Sequence, residues 1–260
     1  MKRTIQPTFL DNILSFSMPD SWDKLSQKQL RYVLFALRTF DDISAKTYLF
    51  VRLLGIRVLK KTKAGWLCRV RLSLFRRQKF FLQEWQVQYY LQKLDFINEP
   101  GYVPVRFERI GTYRAVDSQL HHVKFSEFIR LENYYQGFLA CKDERLLLSM
   151  ARLLYRTKQG QHADSLRLDE VQALSVMTWF SAVKNLFSVK FPSFFQRVGE
   201  DSGDEQAPDM EAVMNAEIRA LTGGDITKER EVLEMDCWRA LTELNEKARE
   251  AQEFNQKYGH

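Results

Sequence analysis

Apolar residues recur at three- and four-residue intervals through most of the chain, and at two-residue intervals in one short basic stretch. Ser26 and Gln29 have the spacing of a capping box, and Leu30, Val33, Leu34 and Leu37 follow at helical intervals. Together they predict a first helix reaching about Phe40. A second opens near Ser44 and runs through Tyr48, Val51, Arg52 and Leu54, with Gly55 where a C-terminal cap belongs. These two form a helical hairpin. From Ile56 the period becomes two, because IRVLKKTKAGWLCRVRL alternates apolar and basic residues about a KAG turn. That pattern predicts a β-hairpin with Trp66, Cys68 and Val70 on one face and Arg69 and Arg71 on the other. A two-stranded ribbon is marginal alone, so it must pack on the helices.

Helical spacing returns with Phe81, Leu82, Trp85, Tyr89 and Leu94 and stops before the NEPG of residues 98–101. VPVRFERIGTYRAV (103–116) alternates again about Gly111, as a second short hairpin or an added pair in the first sheet. Ser126 then caps a helix through Phe128, Tyr135 and Leu139, and Asp143 caps the next, through Leu147, Met150, Ala151, Leu154 and Tyr155. Asp169 begins a long helix containing Trp179, and FPSFF (191–195) closes the body. Residues 171–189 are the most membrane-like, but Gln172, Lys184, Asn185 and several hydroxyls at helical spacing make them a buried core helix instead of a span. The fold class expected is mainly α: a multi-helix globular body with one or two short β-hairpins, then a linker and an acidic C-terminal helix.

Charge sharpens this division. Residues 1–198 carry 32 Lys and Arg against 17 Asp and Glu, or +15, whereas residues 199–260 carry 7 against 16, or −9. GEDSGDEQAPD (199–209) has linker composition and marks the boundary expected between a basic body (1–198) and an acidic tail (210–260). In the tail, a short helix from Met210 to Leu221 is broken by Gly223 and Gly224. Thr227 then starts a long helix with Glu229 and Glu231 in its first turn, where negative charge complements the helix dipole. Val232, Met235, Trp238, Leu241, Leu244 and Ala248 form its apolar stripe. The stripe must be buried against the body, a second copy of the chain or another protein.

Within the body, residues 43–83 contain eleven basic and no acidic residues, among them Arg57, Lys60, Lys61, Lys63, Arg69, Arg71, Arg76, Arg77 and Lys79. The stretch is a solvated face balanced elsewhere in the fold, a contact for an acidic protein face, or a contact for nucleic acid.

Candidate chemistry is sparse. The chain has no GxxxxGK[ST], GxGxxG, HExxH or GxSxG motif, and its three cysteines, Cys68, Cys141 and Cys237, lie far apart without metal or CxxC spacing. That cysteine pattern suits a reducing compartment, and the start MKRTIQPTFLDNIL lacks the apolar run of a secretory signal, so a cytoplasmic protein is expected. Among the four histidines, His121 and His122 are adjacent and point apart, which suits surface histidines better than a two-His metal site; His162 is the remaining candidate base. Glu127, Glu132, Asp143 and Glu144 read as caps and solvated positions, and no spacing makes them a glycosidase pair. Tyr134, Tyr135, Phe138 and Tyr155 have the spacing of core packing more than of a base-stacking platform. No catalytic, cofactor or metal residue is assigned, and no enzyme activity is expected.

Four segments, read together, resemble a group of mostly uncharacterised proteins encoded in bacterial prophages and mobile elements near tail-morphogenesis genes. They are PDSWDKLSQKQLRYV (19–33), VKFSEFIRLENYYQGFLACKDERLLLSMARLLYR (123–156), NLFSVKFPSFF (185–195) and IRALTGGDITKEREVLEMDCWRALTELNEKAREAQEF (218–254). The last resembles the acidic C-terminal part of phage tail-assembly chaperone-like proteins. The resemblance implies a cytoplasmic, non-enzymatic protein-binding factor or component in phage-like tail assembly. Its recognition element would be the Leu221–Gly224 turn and the helix with Met235, Trp238 and Leu241, partner contacts being assigned to Val232, Met235, Trp238, Leu241 and Leu244, with the basic body as a second contact surface. The other class of function open to the sequence is a nucleic-acid-binding accessory protein of a mobile element, using the basic hairpin at residues 56–79.

Overall fold

A computed structural model describes residues 18–71, 77–99, 101–195 and 210–258. The chain is mainly α-helical, with two small three-stranded antiparallel sheets. It divides into two compact units, residues 1–101 and 102–260.

In the first unit, Ser26 and Gln29 cap helix α1 (Gln27–Thr39) reciprocally: the Gln29 amide donates to Ser26 Oγ at 3.3 Å, and the Ser26 amide donates to Gln29 Oε1 at 2.9 Å. Leu30, Val33, Leu34 and Ala36 are its buried side. Asp41 caps α2 (Asp42–Leu53), accepting from the Ser44 amide at 3.0 Å, and α2 packs on α1 as the expected hairpin. Strands β1 (Ile56–Thr62) and β2 (Gly65–Arg71) form the expected ribbon about a Lys63-Ala64 turn. A third strand, β3 (Arg77–Gln83), joins β2 on its other side and was not anticipated.

Phe81 and Leu82 therefore belong to a strand, and helix α3 (Glu84–Gln92) starts later than its apolar spacing suggested. It buries Val87 and Tyr90 and leaves Trp85 and Tyr89 outside. Phe50 from α2 stacks on Tyr90 at 5.8 Å and meets Trp66 edge-on at 6.1 Å, joining two helices to the sheet's inner face. Gly65 is required where β2 begins: its φ is +142°, and a Cβ there would lie 2.0 Å from the Leu82 carbonyl oxygen.

In the second unit, β4 (Arg109–Ile110) and β5 (Tyr113–Ala115) make the hairpin expected at Gly111, but they pair with β6 (Tyr155–Arg156) in a sheet of their own. Helices α4 (Phe125–Cys141) and α5 (Glu144–Leu154) pack on each other across Lys142, which adopts a left-handed conformation. Asp169 and Gln172 cap α6 (Glu170–Lys190) reciprocally, and this helix buries Val176, Trp179, Phe180, Val183 and Phe187 on one side while the other side of residues 171–187 is half-buried. That is the core helix the 171–189 stretch predicted.

Helices α7 (Met210–Thr222), α8 (Glu229–Glu234) and α9 (Cys237–Tyr258) complete the unit. α9 packs on both α4 and α7. Residues 210–258 lie in the same compact unit as 102–195, and the linker expected at 199–209 lies outside the described residues. The long helix expected from Thr227 is broken at Met235 and Asp236, because its backbone is captured there. The Phe125 amide donates to the Met235 carbonyl at 2.7 Å, the Cys237 amide donates to the Val123 carbonyl at 2.8 Å, and Lys124 and Asp236 form a β-bridge.

Candidate functional site

The inner face of the β1–β2–β3 sheet is apolar, carrying Ile56, Trp66, Cys68, Val70, Phe80 and Leu82. Burial raises the Cys68 thiol to about 11, so this cysteine is a core residue and not a nucleophile. Strand alternation sends the intervening side chains outward. The register sets Arg57 opposite Arg69 and Arg69 opposite Lys79, one row across three strands, with Arg71 opposite Arg77 beside it. Leu59 bulges out of β1, so Lys60 resumes on the outer side opposite Leu67, which faces Phe81. The outer face is thus a block of arginine and lysine bordered by Leu67 and Phe81.

Like charges directly opposite one another in a sheet destabilise it by about 0.2–1 kcal/mol a pair. Among the described residues, Arg57, Lys60, Arg69, Arg77 and Lys79 form no ion pair that would offset this cost. Lys46, the one buried cation among the described residues of the acid-free stretch, behaves differently. Burial alone would lower its ammonium, but Asp95 at 2.6 Å and Asp42 at 3.0 Å outweigh that and hold it above its usual range.

The basic residues singled out from sequence therefore separate. Arg57, Lys60, Arg69, Arg71 and Arg77 share the outer face, Lys63 sits in the turn, and Lys61 crosses to the inner side, where its Nζ lies 4.3 Å from the Trp66 ring. Arg76 lies outside the described residues. Phe81, Trp85 and Tyr89, which sequence placed on the buried side of a helix, are exposed by 46%, 60% and 52%. The Trp85 indole N–H donates to the side-chain oxygen of Gln83, an exposed residue two positions beyond Phe81 on β3. That bond holds the indole at the end of β3 where Gln83 stands.

The stripe read as a partner-binding element is covered by its own unit. Val232, Leu241 and Leu244 are buried, and Met235 and Trp238 are half-buried. Trp238 stacks on His121 at 4.5 Å, meets Phe187 and Phe191 edge-on at 5.3 and 5.4 Å, and donates through Nε1 to the Gln119 carbonyl at 2.6 Å. The Asp236 carboxylate accepts from the His122 amide at 2.6 Å, and Lys124 pairs with Glu234. These contacts hold the stripe within the second unit, with Met235 and Trp238 half-buried. His121 is a stacking partner that sequence gave no means of finding.

Two polar clusters in the second unit were tested for chemistry. Glu127 accepts both bonds of an Arg156 guanidinium nitrogen at 2.9 Å and pairs with His162 Nε2 at 2.5 Å. Burial lowers the Arg156 guanidinium, against the pull of Glu127. A carboxylate orienting an imidazole is half of a nucleophilic triad, but among the described residues His162 bonds no hydroxyl or thiol, so the arrangement ties α4 to β6. In the other, Lys184 donates to Glu132 at 2.6 Å, and Glu132 Oε2 is buried without a hydrogen bond. Burial first, and then the Glu132 charge, raise the Glu217 carboxyl to about 7. Tyr135 and Tyr155 are packed among Phe180 and Trp179, as the core reading of those aromatics required.

Among the described residues there is no group of His, Cys, Asp and Glu suited to hold a metal, and no helix long and apolar enough to cross a membrane. Charge also follows the structural division: residues 1–101 carry 18 Lys and Arg against 8 Asp and Glu, or +10, and residues 102–260 carry 21 against 25, or −4. The outer face of the first unit's sheet is the surface whose composition needs an external explanation. Compared with protein-family models, curated proteins and solved structures, the chain has no match.

Proposed function

We propose that this is a nucleic-acid-binding accessory protein of a mobile element, acting in the cytoplasm, and that the outer face of the β1–β3 sheet is its binding surface. The observation that carries the reading is the row of Arg57, Arg69 and Lys79, flanked by Arg71 and Arg77, on an exposed face with no acidic residue in its strands. A polyanion lying along that face supplies a counter-charge to Arg57, Arg69 and Lys79, and releases its own condensed counterions in doing so. Backbone phosphates would be the principal contacts, so affinity should depend on salt more than on sequence.

The test is fluorescence anisotropy of the full chain with a labelled oligonucleotide at low salt, comparing the parent with the Arg57→Gln/Arg69→Gln/Lys79→Gln variant. Binding by the parent and its loss in the variant, with an unchanged melting temperature or a higher one, is the expected result. Absence of binding by the parent at low salt would end this reading.

The second reading, a protein-binding factor in phage-like tail assembly, rests on the sequence resemblance and on a different surface from the one first assigned. Phe254 and Tyr258 are exposed by 62% and 67% at the end of α9, with ring centroids 4.9 Å apart, and would replace the buried stripe as the contact. A Phe254→Ser/Tyr258→Ser variant that keeps the fold but loses a tail-component partner would favour it.

A further inference from the structure

We infer that the nucleic acid this surface takes is single-stranded, with its bases stacked on Phe81, Trp85 and Tyr89 and its phosphates along the neighbouring cations. The inference rests on the nucleic-acid reading above and adds the class of ligand to it. The cationic row alone does not distinguish a duplex from a single strand, since both present phosphates. The aromatic residues do.

Along β3 the outward side chains run Arg77, Lys79, Phe81 and Gln83. The hydrogen bond from Trp85 to Gln83 continues this line onto α3, and Tyr89 stands one helical turn further on the same side. Charge therefore occupies one end of a continuous track and aromatic rings the other. The rings are not the spill-over of a core, because α3 already has a buried side in Val87 and Tyr90 and packs through it. Nor are they closed off by one another. Tyr89 touches Tyr90 at 5.4 Å and carries Lys93 above its ring at 4.9 Å, which adds a further cation to the aromatic end.

A duplex offers such a face only its sugar–phosphate exterior, because its base faces are consumed in stacking. Rings on the surface of a strand and a helix cannot reach them. An unpaired strand exposes both the phosphates and the π-faces, and stacking of its bases on aromatic side chains tolerates any sequence. Cations at one end and three exposed rings at the other match that combination. An acidic protein surface would satisfy the cations but gives the rings no particular partner.

The experiment uses the full chain and three probes at low salt: a fluorescein-labelled oligothymidylate, a mixed-sequence duplex of equal length, and poly-L-glutamate as an acidic polypeptide. Two variants accompany the parent, Trp85→Ala/Tyr89→Ala and Arg69→Gln/Lys79→Gln, with circular dichroism melts as the control for folding. The parent should bind the single strand at least about tenfold more tightly than the duplex, with quenching of the exposed Trp85. The aromatic variant should lose roughly tenfold or more on the single strand and nothing on the duplex. The cationic variant should weaken both. Equal or tighter duplex binding, or an aromatic variant unchanged on the single strand, overturns this inference and leaves the nucleic-acid reading standing. Failure of both nucleic acids to bind, with or without binding of poly-L-glutamate, overturns the two together.

Discussion

On the sheet of the first unit, Arg57, Arg69 and Lys79 lie side by side across three strands. In the second unit, cations at helix junctions stand against carboxylates: Arg156 and Glu127 at 2.9 Å, Lys184 and Glu132 at 2.6 Å, Lys124 and Glu234. The same side chains do different work in the two places. The Arg156–Glu127 and Lys184–Glu132 pairs are internal and fix secondary-structure elements to one another, so removing one partner strands the other, whereas Lys124–Glu234 is an exposed pair. On the sheet, the charge of Arg57, Arg69 and Lys79 faces outward without an ion pair among the described residues, and removing it relieves repulsion. Stability measurements can therefore separate charges that hold the fold from charges that wait for a ligand.

The largest effect should come from the second unit's core. Trp238→Ala removes a ring that meets His121, Phe187 and Phe191 and an indole donor to the Gln119 carbonyl. It should cost about 3 kcal/mol in urea denaturation. A loss under about 0.5 kcal/mol, as expected of a surface position, would return Trp238 to the role of a partner contact.

Next is Glu127→Gln, which breaks the paired Arg156 and His162; a loss of about 2–3 kcal/mol is expected, partly recovered when Arg156→Met is added. Non-recovery would mean the pair is favourable in itself.

Third is pH. Folding raises the Glu217 carboxyl from 4.5 to about 7, so the folded state holds a proton that the unfolded state gives up. Its contribution is intact below about pH 4.5 and is lost as pH rises towards 7, by up to about 3 kcal/mol. Glu217→Gln should be close to neutral near pH 4.5 and stabilising at pH 8, read from denaturation midpoints at the two pH values. Parallel profiles for parent and variant would exclude the effect. Smallest in stability is the sheet itself: Arg69→Gln should stabilise by about 0.5 kcal/mol while weakening oligonucleotide binding. A net destabilisation would mean that the row is paired within the fold.

Local signals carried the first unit's helices and ribbon well. Ser26 with Gln29 is a capping box in the sequence and in the structure, and Asp169, read as a helix start in the second unit, caps that helix. The 56–71 alternation gave the ribbon and its inner face. β3 was missed because Phe80, Phe81 and Leu82 are three consecutive apolar residues, and one of them, Phe81, faces outward; that run hides the alternation. The signal available was Gln83 with Gln86, a capping pair that starts α3 after the strand.

Tertiary capture was harder to read. The apolar spacing of Val232, Trp238, Leu241 and Leu244 stated correctly that the stripe is covered. It held no information on what covers it, since a helix face looks alike whether its own chain or another protein packs there. Pairing of Lys124 with Asp236, residues far apart in sequence, also broke a helix that local propensity would have continued. Net charge varies along the chain independently of packing: its sign changes near residue 199, whereas the two compact units are divided at residue 101.

The central claim is that Arg57, Arg69 and Lys79 on the β1–β3 outer face form no ion pair among the described residues because their partner is a nucleic acid. Its most direct test is the salt dependence of binding by the full chain to an unstructured single-stranded oligonucleotide. With four to five phosphates neutralised, log K should fall against log salt with a slope of about −3, and each cation replaced by Gln should reduce the slope by about 0.7. A slope near zero, or one that the replacement of Arg57, Arg69 and Lys79 leaves unchanged, would contradict the account.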